Sequence, residues 1–197
     1  MNFNKDENDL IDNALKNREA FEKFVHLYYE EVLNYIYKRT LDRNVSEDLT
    51  EETFLKVFNN LHSFKRKCPL IFWILRIATN IVNNYYRKET RSRKLKEKLK
   101  NNSPTKNAEN TTQEEYARKI LYKHIKSLRP DYQAAIILKF FNNASNKEIA
   151  VVLNKTPSTA GKIVYRALEA LKKDIEKSVP DLKILRLIYG DEKDEEG

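Results

Sequence analysis

The chain has little of what turns, disulfides, metal centres and membranes require. Its 197 residues include three glycines, five prolines and one cysteine. So few turn formers, beside abundant Lys, Glu, Asn, Leu and Ile, predict an all-helical fold. Cys68 alone cannot form an internal disulfide, so a reduced, intracellular setting is expected. His26, His62 and His124 are too scattered for a zinc site, and neither a metal nor a cofactor is expected. No apolar run approaches the roughly 20 residues of a membrane span. The amino terminus MNFNKDENDL is acidic and polar, unlike a signal peptide, so the expected location is cytoplasmic. There is no glycine-rich phosphate loop and no nucleophile beside a base, which argues against an enzyme.

What the chain does have is positive charge, unevenly spread. The net charge is +8 and the isoelectric point about 9.3. From Lys65 to Lys106 nearly every charge is Lys or Arg, with Glu89 and Glu97 the exceptions. The preceding segment is balanced or acidic, and the last residues, DEKDEEG, are acidic. This polarity points to a polyanion partner for the middle of the chain.

Within that basic stretch, Pro69 to Arg91 reads as a helix. Ile74, Ala78, Ile81, Val82 and Tyr85 form an apolar stripe at helical spacing. On the opposite side Trp73, Arg76, Asn80, Asn84, Arg87 and Arg91 fall on one line. A single nucleic-acid strand needs that set: cations for phosphates, a ring for a base face, amides for base edges. The same line also fits a solvated basic face with Trp73 half-buried at a helix start. The loop before it carries Phe64, Lys65, Arg66 and Lys67, a ring and cations able to flank an extruded base.

Upstream, a first helical pattern runs from Asn8 to Lys16 and is expected to break at Asn17 in the left-handed conformation. Arg18 to Leu41 reads as a core-facing helix with Phe21, Phe24, Val25, Tyr28, Tyr29, Val32, Leu33 and Ile36 inward. In the next helix Asn44 and Glu47 resemble a capping box. Leu49, Thr53, Val57 and Leu61, flanked by Phe54 and Phe58, are expected to face inward. Its outer side carries Asp48, Glu51, Glu52, Leu55 and Asn59. Single surface leucines are ordinary, yet a leucine ringed by carboxylates also suits a docking surface for a basic partner.

After Leu99 apolar periodicity fades, and the segment to about Glu114 reads as a linker between two small domains. The expected division is 1–92, a linker over 93–114, a second domain over 115–179 and a tail over 180–197. The second domain opens with a helix from Tyr116 to Leu128, then DYQAAIILKFF, which closes at Asn142 and Asn143. Ser145 and Glu148 form a capping box for a helix from Lys147 to Leu153. Thr156 as N-cap with Pro157 following starts another, so the pair predicts a helix-turn-helix. In the second of these helices Ala160, Val164, Ala167, Leu168, Leu171 and Ile175 face the core, while Gly161 weakens it by roughly 1 kcal/mol relative to Ala. Ser158, Thr159, Lys162, Arg166 and Lys173 lie on the outer side, as on a recognition helix in a major groove. A packing hairpin that touches no DNA is the other reading. The amphipathic tail DLKILRLIYG is expected to fold back on the second domain.

Taken together these stretches resemble a bacterial RNA polymerase sigma factor of the extracytoplasmic-function (ECF) class. The resemblance rests on EAFEKFVHLYYEEVLNYIYKRT leading into SEDLTEETFLKVF, on FWILRIATNIVNNYYRKETR, and on LRPDYQAAIILKFFNNASNKEIAVVLNKTPSTAGKIVYRALEALKK. It implies a region-2-like helical bundle, a basic linker and a region-4-like helix-turn-helix. It also implies core RNA polymerase and promoter DNA as partners, the DNA both as duplex and as the melted non-template strand, with an anti-sigma factor as a candidate further partner. Asp48, Glu51, Glu52, Leu55 and Asn59 would grip polymerase. Lys65, Arg66, Trp73, Arg76, Asn80, Asn84 and Arg87 would hold the minus-ten strand. Ser158, Thr159, Lys162, Arg166 and Lys173 would face minus-thirty-five DNA. Departures from the family pattern are Glu51 for Gln, Gln133 for Arg, Asn143 for Gly, and Ala160, Gly161 and Ile163 where Val and basic residues are common. A free-standing helix-turn-helix regulator and a general single-strand binder are the alternatives.

Overall fold

The computed structural model describes residues 5–97 and 113–178, and among them there is no strand. The helices are α1 (Lys5–Ala14), α2 (Arg18–Thr40), α3 (Arg43–Asn60), α4 (Leu70–Glu97), α5 (Gln113–Ser127), α6 (Pro130–Phe140), α7 (Asn146–Leu153) and α8 (Pro157–Ser178), with a short 3-10 turn at Leu61–Ser63. Helix α4 continues past the expected boundary at residue 92, while most of the expected linker and all of the expected tail lie outside the described residues.

Local chemistry explains most of the helix ends. Asn17 does not close α1; its backbone is extended, φ −152°, and its side chain accepts the Ala20 N–H at 2.8 Å, capping α2. Leu41, at φ 56°, takes the left-handed step that ends α2. Asp42 follows at once and caps α3 by accepting the Val45 N–H at 3.0 Å. The capping box expected at Asn44 and Glu47 is therefore absent: helix α3 begins before Asn44, and Glu47 pairs with Arg43 instead. The Ser145–Glu148 box is present with both of its hydrogen bonds. Asn143, at φ 49°, adopts a conformation that glycine takes most easily and asparagine tolerates.

Helices α1 to α4 form one bundle around Phe24, Val32, Ile36, Phe54, Val57, Leu70, Ile74 and Ile81. A polar seam joins α2 to α4. Tyr35 Oη and Thr79 Oγ1 lie 2.7 Å apart, and Arg39, fully buried, donates from Nη2 to Asn83 Oδ1 at 2.7 Å. The Tyr86 hydroxyl donates to the Arg39 carbonyl at 2.9 Å, and burial pushes its pKa up to about 12, keeping it a donor. Each of these bonds has one geometry, so the seam sets the rotation of α4 and thereby which of its residues face outward. Phe58, expected inward, is 54% exposed, because its position on α3 lies past the edge of the buried stripe; its ring meets Phe21 of α2 edge-on at 4.8 Å.

Helices α5 to α8 form the second unit, in which Ala134, Ile137, Leu138, Ile149, Val152, Ala160, Val164 and Leu171 are buried. Gln133 closes the end of α5: its Nε2 donates to the carbonyls of Lys126 at 2.8 Å and Leu128 at 2.7 Å. The units also pack on each other, α7 against α4 and α5 and α6 against α2, within one continuous apolar cluster.

Candidate nucleic-acid interface

Helix α1 holds the loop that leads into α4. Arg66, in the left-handed conformation at φ 53°, pairs with Asp12 of α1. Glu7 of α1 accepts the Leu70 N–H at 3.1 Å, a carboxylate against the positive end of α4. With the loop tied at both places, the Phe64 ring rests on that of Trp73 at a centroid distance of 5.4 Å and a tilt of 47°. Lys65 and Lys67 are exposed beside this pair, and Arg76 lies one turn further along α4.

The ring pair and these cations form one wall of a cleft of about 540 Å³. The other wall is the helix-turn-helix: Lys147, Ala150 and Val151 of α7, then Asn154, Lys155 and Pro157. Trp73 and Arg76 are accordingly half-buried, while Asn80, Asn84 and Arg87 stand in the open further along α4. Arg87 donates to Asn84 Oδ1. The structure therefore brings together Lys65, Trp73 and Arg76 with Phe64 and Lys67, and it spends Arg66 on holding the loop. The opposing lysines are hidden from sequence reasoning, since they lie about eighty positions away and only packing joins them. Cys68 also lines the cleft, its thiol pKa raised by burial.

On α8, Ser158, Thr159, Lys162, Arg166 and Lys173 are all exposed. The Thr159 N–H donates to Thr156 Oγ1 at 3.2 Å, so Thr159 belongs to the cap as well as to the outer face. Asn154, at φ 54°, ends α7 and makes the tight turn that sets α8 against it. Gly161 serves this crossing: a Cβ there would sit 3.1 Å from Asn146 Nδ2. Tyr165, 65% exposed, stands on the same face and was missed; its spacing of three from Lys162 was the available signal.

Asp48, Glu51, Glu52, Leu55 and Asn59 form the open side of α3. Leu55 is 66% exposed, and Phe58 extends the apolar part of this surface by one helical step. Glu52 pairs with Lys56 at 2.8 Å, whereas no ion pair engages Asp48 or Glu51 among the described residues.

A basic cleft lined by a tilted ring pair beside a helix-turn-helix is a surface suited to nucleic acid, and the comparisons name the kind of protein. The sigma-70 region 2 family matches residues 24–92, and the sigma-70 region 4 family matches residues 118–171. The RNA polymerase sigma factor YlaC of Bacillus subtilis is 29% identical over 174 residues, covering 86% of this chain and all of that protein. The ECF RNA polymerase sigma-E factor of Escherichia coli is 27% identical over 169 residues, covering 81% of this chain and 88% of that one. Among solved structures, CnrH in complex with the cytosolic domain of CnrY aligns over 87% of this chain and 98% of its own, with a TM-score of 0.65 and 17% identity. The sigma factor RpoE of Bartonella quintana, in complex with the anti-sigma factor NepR, covers 82% of this chain and 99% of its own, with a TM-score of 0.63 and 20% identity. The chain belongs to the sigma-70 family, as an ECF-class sigma factor. Its function is to bind core RNA polymerase and direct transcription initiation to promoters. Among the described residues, no helix is long and apolar enough to cross a membrane.

Proposed function

We propose that three surfaces divide this work. The open side of α3, with Asp48, Glu51, Glu52, Leu55, Asn59 and also Phe58, grips core polymerase. The Phe64–Trp73 pair receives an unpaired base of the minus-ten non-template strand, Lys65 and Arg76 take its phosphates, and Asn80, Asn84 and Arg87 follow the strand along α4. Arg66 acts here by holding the loop. Ser158, Thr159, Lys162, Arg166 and Lys173 meet the minus-thirty-five duplex, with Tyr165 among them. The functional division follows 1–92, 93–114, 115–179 and 180–197. The protein works in the cytoplasm, carries out no catalysis of its own, and is restrained by an anti-sigma factor.

The observation that carries this reading is the Phe64–Trp73 ring pair, 5.4 Å between centroids and tilted by 47°, set among cations beside a loop that α1 holds. Preorganised rings cost little entropy on binding a base, and stacking is worth about 1–3 kcal/mol per base. The test is permanganate footprinting of promoter complexes formed with Asn80→Ala and Trp73→Ala. Polymerase binding is expected to be retained while thymine reactivity in the melted region falls; footprints identical to wild type would refute the strand assignment.

A further inference from the structure

The cleft between the loop before α4 and the helix-turn-helix collects positive charge from both units. Lys65, Lys67 and Arg76 line it from the first unit, Lys147 and Lys155 from the second. None of these cations makes an ion pair among the described residues. Two carboxylates lie near: Glu7, which accepts the Leu70 N–H and the Tyr28 hydroxyl, and Glu148, which accepts the Ser145 N–H; they offset part of the charge of the five cations and leave an excess of positive charge. Apolar packing of α7 on α4 thus draws like charges together, and an anion inside the cleft would relieve their repulsion. Because the walls come from different units, such an anion would also hold them closed.

The chain itself carries a matching segment. Beyond Ser178 the sequence reaches Asp191, Glu192, Asp194, Glu195 and Glu196, with Lys193 the one cation among them. Helix α8 begins at Pro157 on the rim of the cleft and runs for 22 residues, so it ends about 33 Å away. The 12 residues from 179 to 190 span about 40 Å when extended, enough to return to the cleft. We propose that the acidic run 191–196 docks in this cleft and holds the helix-turn-helix against α4. Resting on the strand assignment above, the functional consequence is that the docked run occupies the place of the non-template strand until polymerase separates the units.

Carbodiimide cross-linking of the full chain, read by peptide mass spectrometry, tests the docking. Links within one molecule from residues 191–196 to Lys65, Lys67, Lys147 or Lys155 are expected, lost near 1 M salt where the screening length is about 3 Å. Links only to other lysines, or only between copies, would overturn the proposal. A full-length variant with Asp191→Asn, Glu192→Gln, Asp194→Asn, Glu195→Gln and Glu196→Gln is expected to bind fluorescent oligo(dT) at least about fivefold more tightly at low salt. In a Lys147→Gln, Lys155→Gln background the cross-links and this gain should both shrink; a gain of the same size there would mean long-range repulsion, against docking. Unchanged oligo(dT) affinity with cross-links intact would uphold docking and refute instead the assignment of the cleft to the strand.

Discussion

Lys126, near the end of α5, donates from Nζ to the Thr40 carbonyl at 2.7 Å and so sits on the open carboxyl end of α2. A cation in that position satisfies an otherwise unpaired carbonyl and complements the negative helix end. It is a direct polar tie between the two units, and Asn142 to Glu31, at 3.1 Å and exposed, is a weaker one.

Replacing Lys126 by Met keeps most of the unbranched apolar stem and removes the bond, at a cost of about 1–2 kcal/mol to the closed arrangement. Each unit should stay folded while the radius of gyration from small-angle scattering rises. An unchanged radius would mean that apolar packing of α7 on α4 suffices alone.

The docking surface proposed on α3 gives a sharper separation of binding from folding. Asp48 and Leu55 are both exposed, so Asp48→Arg with Leu55→Ala should leave the melting temperature near wild type while weakening association with core polymerase at least about tenfold. Phe58→Ala is expected to act in the same direction. Undiminished co-purification with polymerase would refute the assignment.

Gln133 has a structural task. Its two hydrogen bonds to the Lys126 and Leu128 carbonyls are lost in Gln133→Leu, which leaves two part-buried acceptors without this donor and should cost about 1–2 kcal/mol in denaturant unfolding. Gln133→Arg supplies donors again and removes the Oε1 that has no partner, so it should be tolerated.

Asp174 ties α8 to α5 by accepting from Ser127 Oγ at 2.8 Å and pairing with His124 Nδ1 at 2.8 Å. These hydrogen bonds, that with His124 foremost, hold its pKa below the ordinary aspartate value. A depressed folded-state pKa stabilises above the unfolded value, and the contribution is lost as pH falls through the folded one. In melts from about pH 7 to pH 2, wild type should exceed Asp174→Asn at the upper end, the difference vanishing in acid. A constant difference across the series would contradict this.

What the sequence discloses is chiefly local. The helix-turn-helix is legible because Ser145 with Glu148, and Thr156 with Pro157, announce helix starts within a few residues of where they act. The outward line on α4 is legible because one face of that helix is apolar throughout. Phe58 misleads because aromatic residues at the margin of a buried stripe read as core, although this one is more than half exposed. Arg39 is hidden in the opposite sense: a cation in a helix reads as surface, yet this one is buried, with Nη2 bonded to Asn83 of α4 and Nε and Nη1 without a partner. The cleft is least legible, because Lys67 and Lys147 become neighbours only through packing between the units.

The most direct test of the account is run-off transcription from a genomic fragment library with core polymerase and the purified chain, wild type beside Trp73→Ala. Wild type should start RNA at a discrete set of promoters, and the variant should bind core equally while starting from them at least about tenfold less. Initiation no more selective than that of core alone, or equal activity of the variant, would contradict it.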